Sequence, residues 1–282
     1  MIEVIFLGLL ALIWMCFASI QDIKSTIISD WISFSLIIFA LSFRFFYGLF
    51  IEENFMFFYQ GLIGLCIFVI LGNIFYFSKL FAGGDLKLMI ALGTILPFSN
   101  NFSMNIKIFI LFFFLFFLIS AFYGFFWSFV LAFKNLNSFK KEFKFLFNDN
   151  SKKIYSVIIL GLFIMVIGFV QKIFFLVGSF IIFLVYLYLF IKSVDESCMV
   201  KKISPKELIE GDWLYEDVKV GKKMIKSSWE GLSKSDIKLF LRQSKKIKVR
   251  YGIPFVPVFF LTLLVLFYLL FFYGGIWVLL YP

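Results

Sequence analysis

Two aspartates lie at the edges of very apolar stretches. Asp22 follows the run 2–20, and Asp85 sits inside Phe81-Ala82-Gly83-Gly84-Asp85-Leu86-Lys87-Leu88. Carboxylates near a hydrocarbon boundary are costly to keep, so such a pair is a candidate for chemistry. The chain contains no histidine. That removes Ser–His–Asp triads, Cys–His dyads and His-bound metals, and leaves acid–base work to carboxylates. Two carboxylates sharing a site of low dielectric do not both ionise readily, and the pair then holds one proton. The ionised member can deprotonate a water while the protonated member donates to a carbonyl oxygen. Amide hydrolysis by that route requires no metal and no cofactor.

The same residues also have plainer readings. Asp22 falls at the C-terminal end of the first apolar run, where a helix dipole disfavours an anion, and Lys24 is a local counter-ion. Asp30 reads as a carboxylate at the start of the next helix. Gly83 and Gly84 permit close backbone approach or, alternatively, tight helix packing. Lys87 is placed either to act on Asp85 or to reach lipid headgroups. Pro254 and Pro257 mark the entry to the last apolar run.

These residues are positioned by membrane helices. Of the 282 residues, 62% are hydrophobic and 46 are phenylalanine, whereas ordinary globular chains are roughly half apolar. The class is an all-α polytopic membrane protein. Runs long enough to span occur at 2–20, 31–50, 55–77, 86–98, 106–133, 154–170, 173–191 and 254–277, about eight transmembrane helices. The fourth is short. The first lacks a basic segment before it and a small-residue cleavage site, so a retained span is expected.

The net charge of +10 is concentrated. Fifteen of the 27 Lys and Arg lie in 192–252 and six in 134–153. Bracketed by spans, these blocks read as cytoplasmic loops and not as a nucleic-acid surface. Counting back, 21–29 and 78–85 also fall on the cytoplasmic side, so Asp22 and Asp85 share that face. The expected organisation is a membrane domain at 1–191, a small cytoplasmic α+β domain at 192–252, and a last transmembrane helix at 253–282.

Within 192–252, Ser204-Pro205-Lys206-Glu207 and Ser233-Lys234-Ser235-Asp236 read as helix starts, and 214–220 as a short strand pair. In 134–153, Phe139, Phe143, Leu146 and Phe147 recur at helical spacing among lysines, as in an amphipathic helix on an anionic lipid surface. Cys16, Cys66 and Cys198 are too scattered for a zinc or disulfide framework.

Three segments carry a family resemblance. Residues 18–31, with Asp22, resemble the first catalytic region of the archaeal type IV prepilin or preflagellin (prearchaellin) peptidases, membrane aspartyl proteases of the GxGD kind. Ala82-Gly83-Gly84-Asp85-Leu86-Lys87-Leu88-Met89-Ile90-Ala91-Leu92-Gly93 resembles the second, G-x-G-D-x-K-L-x-x-A-L-G, with Ala82 in place of its first Gly. Glu210-Gly211-Asp212-Trp213, Gly231-Leu232-Ser233 and Gly252-Ile253-Pro254-Phe255-Val256-Pro257 resemble the archaeal C-terminal region. The resemblance implies Asp22 and Asp85 as catalytic residues, and Gly83, Gly84 and Lys87 as the active-site loop. It implies membrane-inserted prepilin or preflagellin precursors as partners, cleaved at the cytoplasmic face. Bacterial relatives carry paired cysteines and a methyltransferase activity. This chain lacks such pairs, so peptidase without methyltransferase is implied. Glu207, Glu210, Asp212, Glu216 and Asp217, clustered in a basic block, are candidate contacts for a basic leader, or else a solvated acidic turn.

Two other readings use the same aspartates. In a multispanning transporter they would bind a cation or relay protons. A signal-peptide-peptidase-like protease would pair G-x-G-D with Tyr-Asp and Pro-Ala-Leu, but here Gln21 precedes Asp22 and no Pro-Ala-Leu occurs.

Overall fold

The computed structural model describes residues 2–220, 223–228, 231–241 and 246–271. The chain divides into two compact units, Met1–Gly124 with Ile253–Pro282, and Phe125–Gly252. The division between the two units falls within a long helix.

The first unit contains α1 (Ile2–Ser25), α2 (Asp30–Tyr47), α3 (Met56–Phe77), α4 (Gly83–Gly93), the first part of α5 (Phe102–Lys134) and α10 (Val256–Phe271). In α1 the buried stripe Val4, Leu7, Ala11, Met15, Ala18 and Asp22 recurs every three or four residues. The opposite face shows Ile5, Leu9, Ile13 and Phe17. A helix apolar on all sides belongs in lipid, with its small residues turned to its neighbours. Thr26 just after α1 and Lys79 two residues after α3 are in the left-handed region (φ 55° and 61°), which turns the chain without a glycine.

Helices α3 and α4 are antiparallel and nearly touch at backbone level. Gly72 lies against Leu86 and Ile90, and Gly64 lies against the Gly93 carbonyl and Pro97. Arg44, near the end of α2, is fully buried. Its Nε donates to Thr94 O (2.8 Å), Nη1 to Phe57 O (2.9 Å), and Nη2 to Ile95 O (3.1 Å) and Pro97 O (2.6 Å). Its guanidinium lies 4.0 Å from the Phe57 ring centre. One side chain thus closes the C-terminal end of α4 onto the first turn of α3, taking up carbonyls that a helix end leaves unpaired.

The expected eight spans are not all found. Among the described residues, five helices are long and apolar enough to cross a membrane: α1, α2 with its π-type extension Gly48–Glu52, α3, α5 and α8 (Lys172–Cys198). A sixth arises if the pair α6 (Leu136–Asp149) and α7 (Ser151–Ile167), bent by 80°, is one span. The segment 86–98 forms only the 11-residue α4. At 1.5 Å per residue that is about 16 Å, against roughly 30 Å of hydrocarbon. The helix stops because Pro97 has no amide to continue the ladder and Arg44 captures the carbonyls instead. The segment 254–277 runs beyond the described residues, which include 16 residues of α10.

In the second unit, α7 and α8 form a hairpin around facing glycines. A Cβ on Gly178 would meet the Gly161 carbonyl at 2.5 Å. The apolar face of α6 packs within this unit: Phe139 stacks near Phe190 (5.5 Å), and Leu146 joins Leu189 of α8 and Ile154 of α7 in one cluster. Part of the helix face expected to lie on lipid is thus taken up by packing within the unit, Leu146 being buried there.

Residues 200–250 form a small α+β layer. β1 (Val200–Ile203), β5 (Ile247–Arg250) and β2 (Trp213–Leu214) make an antiparallel sheet in that order, and β3 (Val218–Val220) pairs with β4 (Lys223–Ile225). The pairing expected within 214–220 is replaced, since β2 and β3 each pair elsewhere. The first expected helix start is a single 3₁₀ turn, Pro205–Glu207, and the second is α9 (Lys234–Phe240), capped by Ser233. Gly211 (φ 94°) and Gly231 (φ 80°) bring two of the family-like segments together. Gly211 N donates to Leu232 O (3.0 Å), and Leu232 N to Asp212 O (2.9 Å).

Replacing Gly93 by Ala would set a Cβ 2.6 Å from Phe68 Cβ and 2.7 Å from the Gly64 carbonyl. The expected cost is about 1–3 kcal/mol, read as a lower thermal unfolding midpoint in detergent. Gly124→Ala, whose Cβ meets nothing within 4 Å, serves as the control and leaves the midpoint unchanged or slightly raised.

Candidate active site

The last turn of α1, the head of α4 and the head of α10 converge at one end of the first unit. Asp22 belongs to α1, four residues before its αL terminator, and Thr26 N donates to Asp22 O (2.8 Å). Asp85 is the third residue of α4. Both side chains are buried, at 6% and 8% exposure, and the two carboxylates lie within electrostatic reach of one another. Among the described residues no hydrogen bond joins them. Each accepts instead from a backbone amide: Asp85 Oδ2 from Ala82 N at 3.2 Å, and Asp22 Oδ2 from Val256 N at 3.0 Å.

The Asp85 bond is half of a capping box. Ala82 has no side-chain oxygen to return the bond, so only the carboxylate half exists. Asp85 therefore has a helix-start role in addition to any chemistry.

Phe81 fixes the entry to α4. Its ring lies 5.2 Å from Phe75, 5.8 Å from Phe116 and 6.0 Å from Phe259, tying that entry to α3, α5 and α10. Gly84 answers a packing need, since a Cβ there would meet Ile28 Cδ1 at 2.6 Å, whereas a Cβ on Gly83 would meet nothing within 4 Å. Close backbone approach is thus possible at Gly83, and Gly84 is required by its neighbour. Lys87 has a partner that the sequence did not suggest. It forms an ion pair with Asp30 at the start of α2, both side chains being substantially exposed.

The α1–α2 turn is held by a clasp that sequence reasoning missed. Gln21 Nε2 donates to Ser29 Oγ (2.5 Å), and Ser29 N donates to Gln21 Oε1 (3.1 Å). Its one visible signal was an amide side chain directly before Asp22. Arg44 and Val256 were missed as well. A lone arginine within an apolar run was the signal for the first, and nothing in the sequence marked the second.

The five acidic residues expected to contact a leader each have a local partner. Glu207 Oε2 accepts from Ser204 N (3.4 Å), and Glu210 pairs with Lys234 (3.4 Å). Asp212 Oδ2 accepts from Ile209 N (2.8 Å), Glu216 pairs with Lys248 (3.0 Å), and Asp217 Oδ1 accepts from Ser227 N (2.7 Å). Burial pushes the Asp212 carboxyl up, against the lowering effect of its Ile209 hydrogen bond. These bonds shape turns, and they leave the acidic cluster with less free charge than its composition suggested.

With the geometry in hand, comparison with known proteins adds one positive finding. Residues 9–133 match the model of the type IV leader peptidase family. The matched segment contains both aspartates and the helices α1 to α5 that carry or flank them. No curated protein matches the chain, and no solved structure does.

The contact between Gly84 and Ile28 sets up a compensation test. Gly84→Ala is expected to lower the unfolding midpoint, and Ile28→Ala to recover part of that loss in the double variant, with a coupling of about 0.5–3 kcal/mol. Strictly additive effects would show that the two residues do not meet.

Proposed function

We propose that this chain is a membrane aspartic endopeptidase. In this reading it removes the short basic leader from type IV pilin-like or archaeal flagellin precursors at the cytoplasmic membrane face. The observation that carries the reading is the placement of two buried carboxylates, Asp22 and Asp85, at the same end of one helical unit and within electrostatic reach of each other. Their segment is also the one that matches the type IV leader peptidase family.

In this mechanism the pair holds one proton. The ionised carboxylate takes a proton from water as the water oxygen bonds to the scissile carbonyl carbon. The carbonyl π electrons move to its oxygen, which receives the proton of the other carboxyl, giving a gem-diol. The first carboxyl then protonates the amine nitrogen as the C–N bond breaks, and a gem-diol hydroxyl returns its proton to the second. Both groups end as they began.

The charge distribution supports the choice of face. Basic blocks at 134–153 and 192–252 are taken as cytoplasmic, and in this reading the chain crosses once more through α4 and the segment 94–101, so that Asp22 and Asp85 share that face. Such precursors carry their basic leader in the cytoplasm, followed by an apolar segment in the membrane, so the scissile bond lies at that boundary. Gly83, with open space at its Cα, is the point at which an extended substrate backbone can approach. Lys87, through Asp30, holds α4 to the start of α2. The acidic groups at 207–217 are retained as leader contacts only in so far as their local bonds leave an oxygen free.

The test is incubation of purified protein in detergent with a panel of leader-bearing pilin-like and flagellin-like precursors. Asp22→Asn and Asp85→Asn are each expected to reduce cleavage by at least about a thousandfold. Detergent removes any gradient, so a transporter would show no turnover at all. Cleavage that survives either substitution would refute the dyad.

A further inference from the structure

We infer that the head of α10 is the positioning element for Asp22: the Val256 amide, aided by that of Phe255, holds this carboxyl in the orientation from which it acts. The inference rests on the catalytic reading of Asp22 proposed above and adds a group that lies far from it in sequence.

The Val256 N–H donates to Asp22 Oδ2 at 3.0 Å across 234 positions of chain. The neighbouring Phe255 amide acts on the same carboxylate. Both partners of the bond are buried, Val256 completely. The first turn of a helix has amides without intrahelical acceptors. In Pro254-Phe255-Val256-Pro257 the two prolines have no N–H, and Val258 N is already bonded to Phe255 O (3.0 Å). The donors left at the head of α10 are therefore Phe255 and Val256, and that of Val256 is bonded to Asp22. The proline pattern, read from sequence as a span entry, also selects which amides remain.

The arrangement fixes the Oδ2 side of the Asp22 carboxyl against a helix start. Asp22 otherwise stands in the last turn of α1, where its own helix offers carbonyls and no donors. A carboxyl gripped at one oxygen by a rigid helix start presents its second oxygen in a fixed direction, and that geometric constraint is what a hydrolytic water needs.

Two variants separate the amide from the side chain. Val256→Pro and Val256→Ala both remove the valine side chain, but only the proline removes the N–H, and Pro is tolerated in a first helical turn. Val256→Pro is expected to lower kcat about tenfold below Val256→Ala with KM matched between them. Equal kcat in the two would overturn the inference. If Val256→Pro fails to fold, amide hydrogen exchange at Val256 decides, measured without substrate. It is expected to be about tenfold faster in Asp22→Ala than in the native chain, and equal rates would overturn the inference. Exchange does not depend on catalysis, so its result stands apart from the Asp22→Asn cleavage assay. Loss of exchange coupling with cleavage still dependent on Asp22 would refute the positioning role alone.

Discussion

A fully buried guanidinium without a carboxylate partner among the described residues anchors the first unit. Arg44 satisfies its charge with four backbone carbonyls and the face of Phe57. Three of those carbonyls belong to the exit from α4. Burying such a charge is costly, and it is tolerated because each N–H that matters has a partner and because a helix C-terminus favours a cation. Gly61 makes the room, since a Cβ there would sit 2.6 Å from Arg44 Cδ. With its lower end held in this way, a helix of only three turns presents Asp85 at a fixed height.

The upper end of α4 is set by different means. Aromatic contacts of Phe81 hold its entry, Gly84 lies against Ile28, and the Lys87–Asp30 pair closes the outside. The last of these is exposed and worth little by itself. Around this point three helix ends meet: the terminus of α1 and the starts of α4 and α10. Helix starts offer free amides and a helix terminus does not, so both acidic side chains draw on backbone amides, one local and one from a distant helix. Polar side chains are scarce there, and peptide groups supply the hydrogen bonds.

Much of this was legible in the sequence, for physical reasons that can be named. Uninterrupted apolar runs made α1, α2, α3, α5 and α8 visible, since length and hydropathy alone determine what lipid accepts. Charge parity gave Asp22 and Asp85 a common face only by counting 86–98 as a full span, a run that forms the short α4. Less legible was α4, because Pro97 and Arg44 shorten it through contacts 50 residues apart. The face of α6 looked like a lipid face because a covering helix and a lipid surface demand the same apolar spacing. Strands of two or three residues, such as β2 and β3, carry no pattern that reveals their partner. The bond from Val256 to Asp22 left no trace in spacing, because an amide is present at every residue and only the fold selects one.

The brevity of α4 has a consequence for the surrounding bilayer. Roughly half the hydrocarbon depth is left without helix along that line. Irregular chain such as 78–82 cannot face acyl tails with its peptide groups bare, so it must be sheathed by protein or wetted. Lipid that thins beside the protein, or a column of solvent drawn down to the short helix, resolves the mismatch. Either route would bring water beside a buried carboxyl, and the hydrolysis proposed for this chain would draw its second substrate from there.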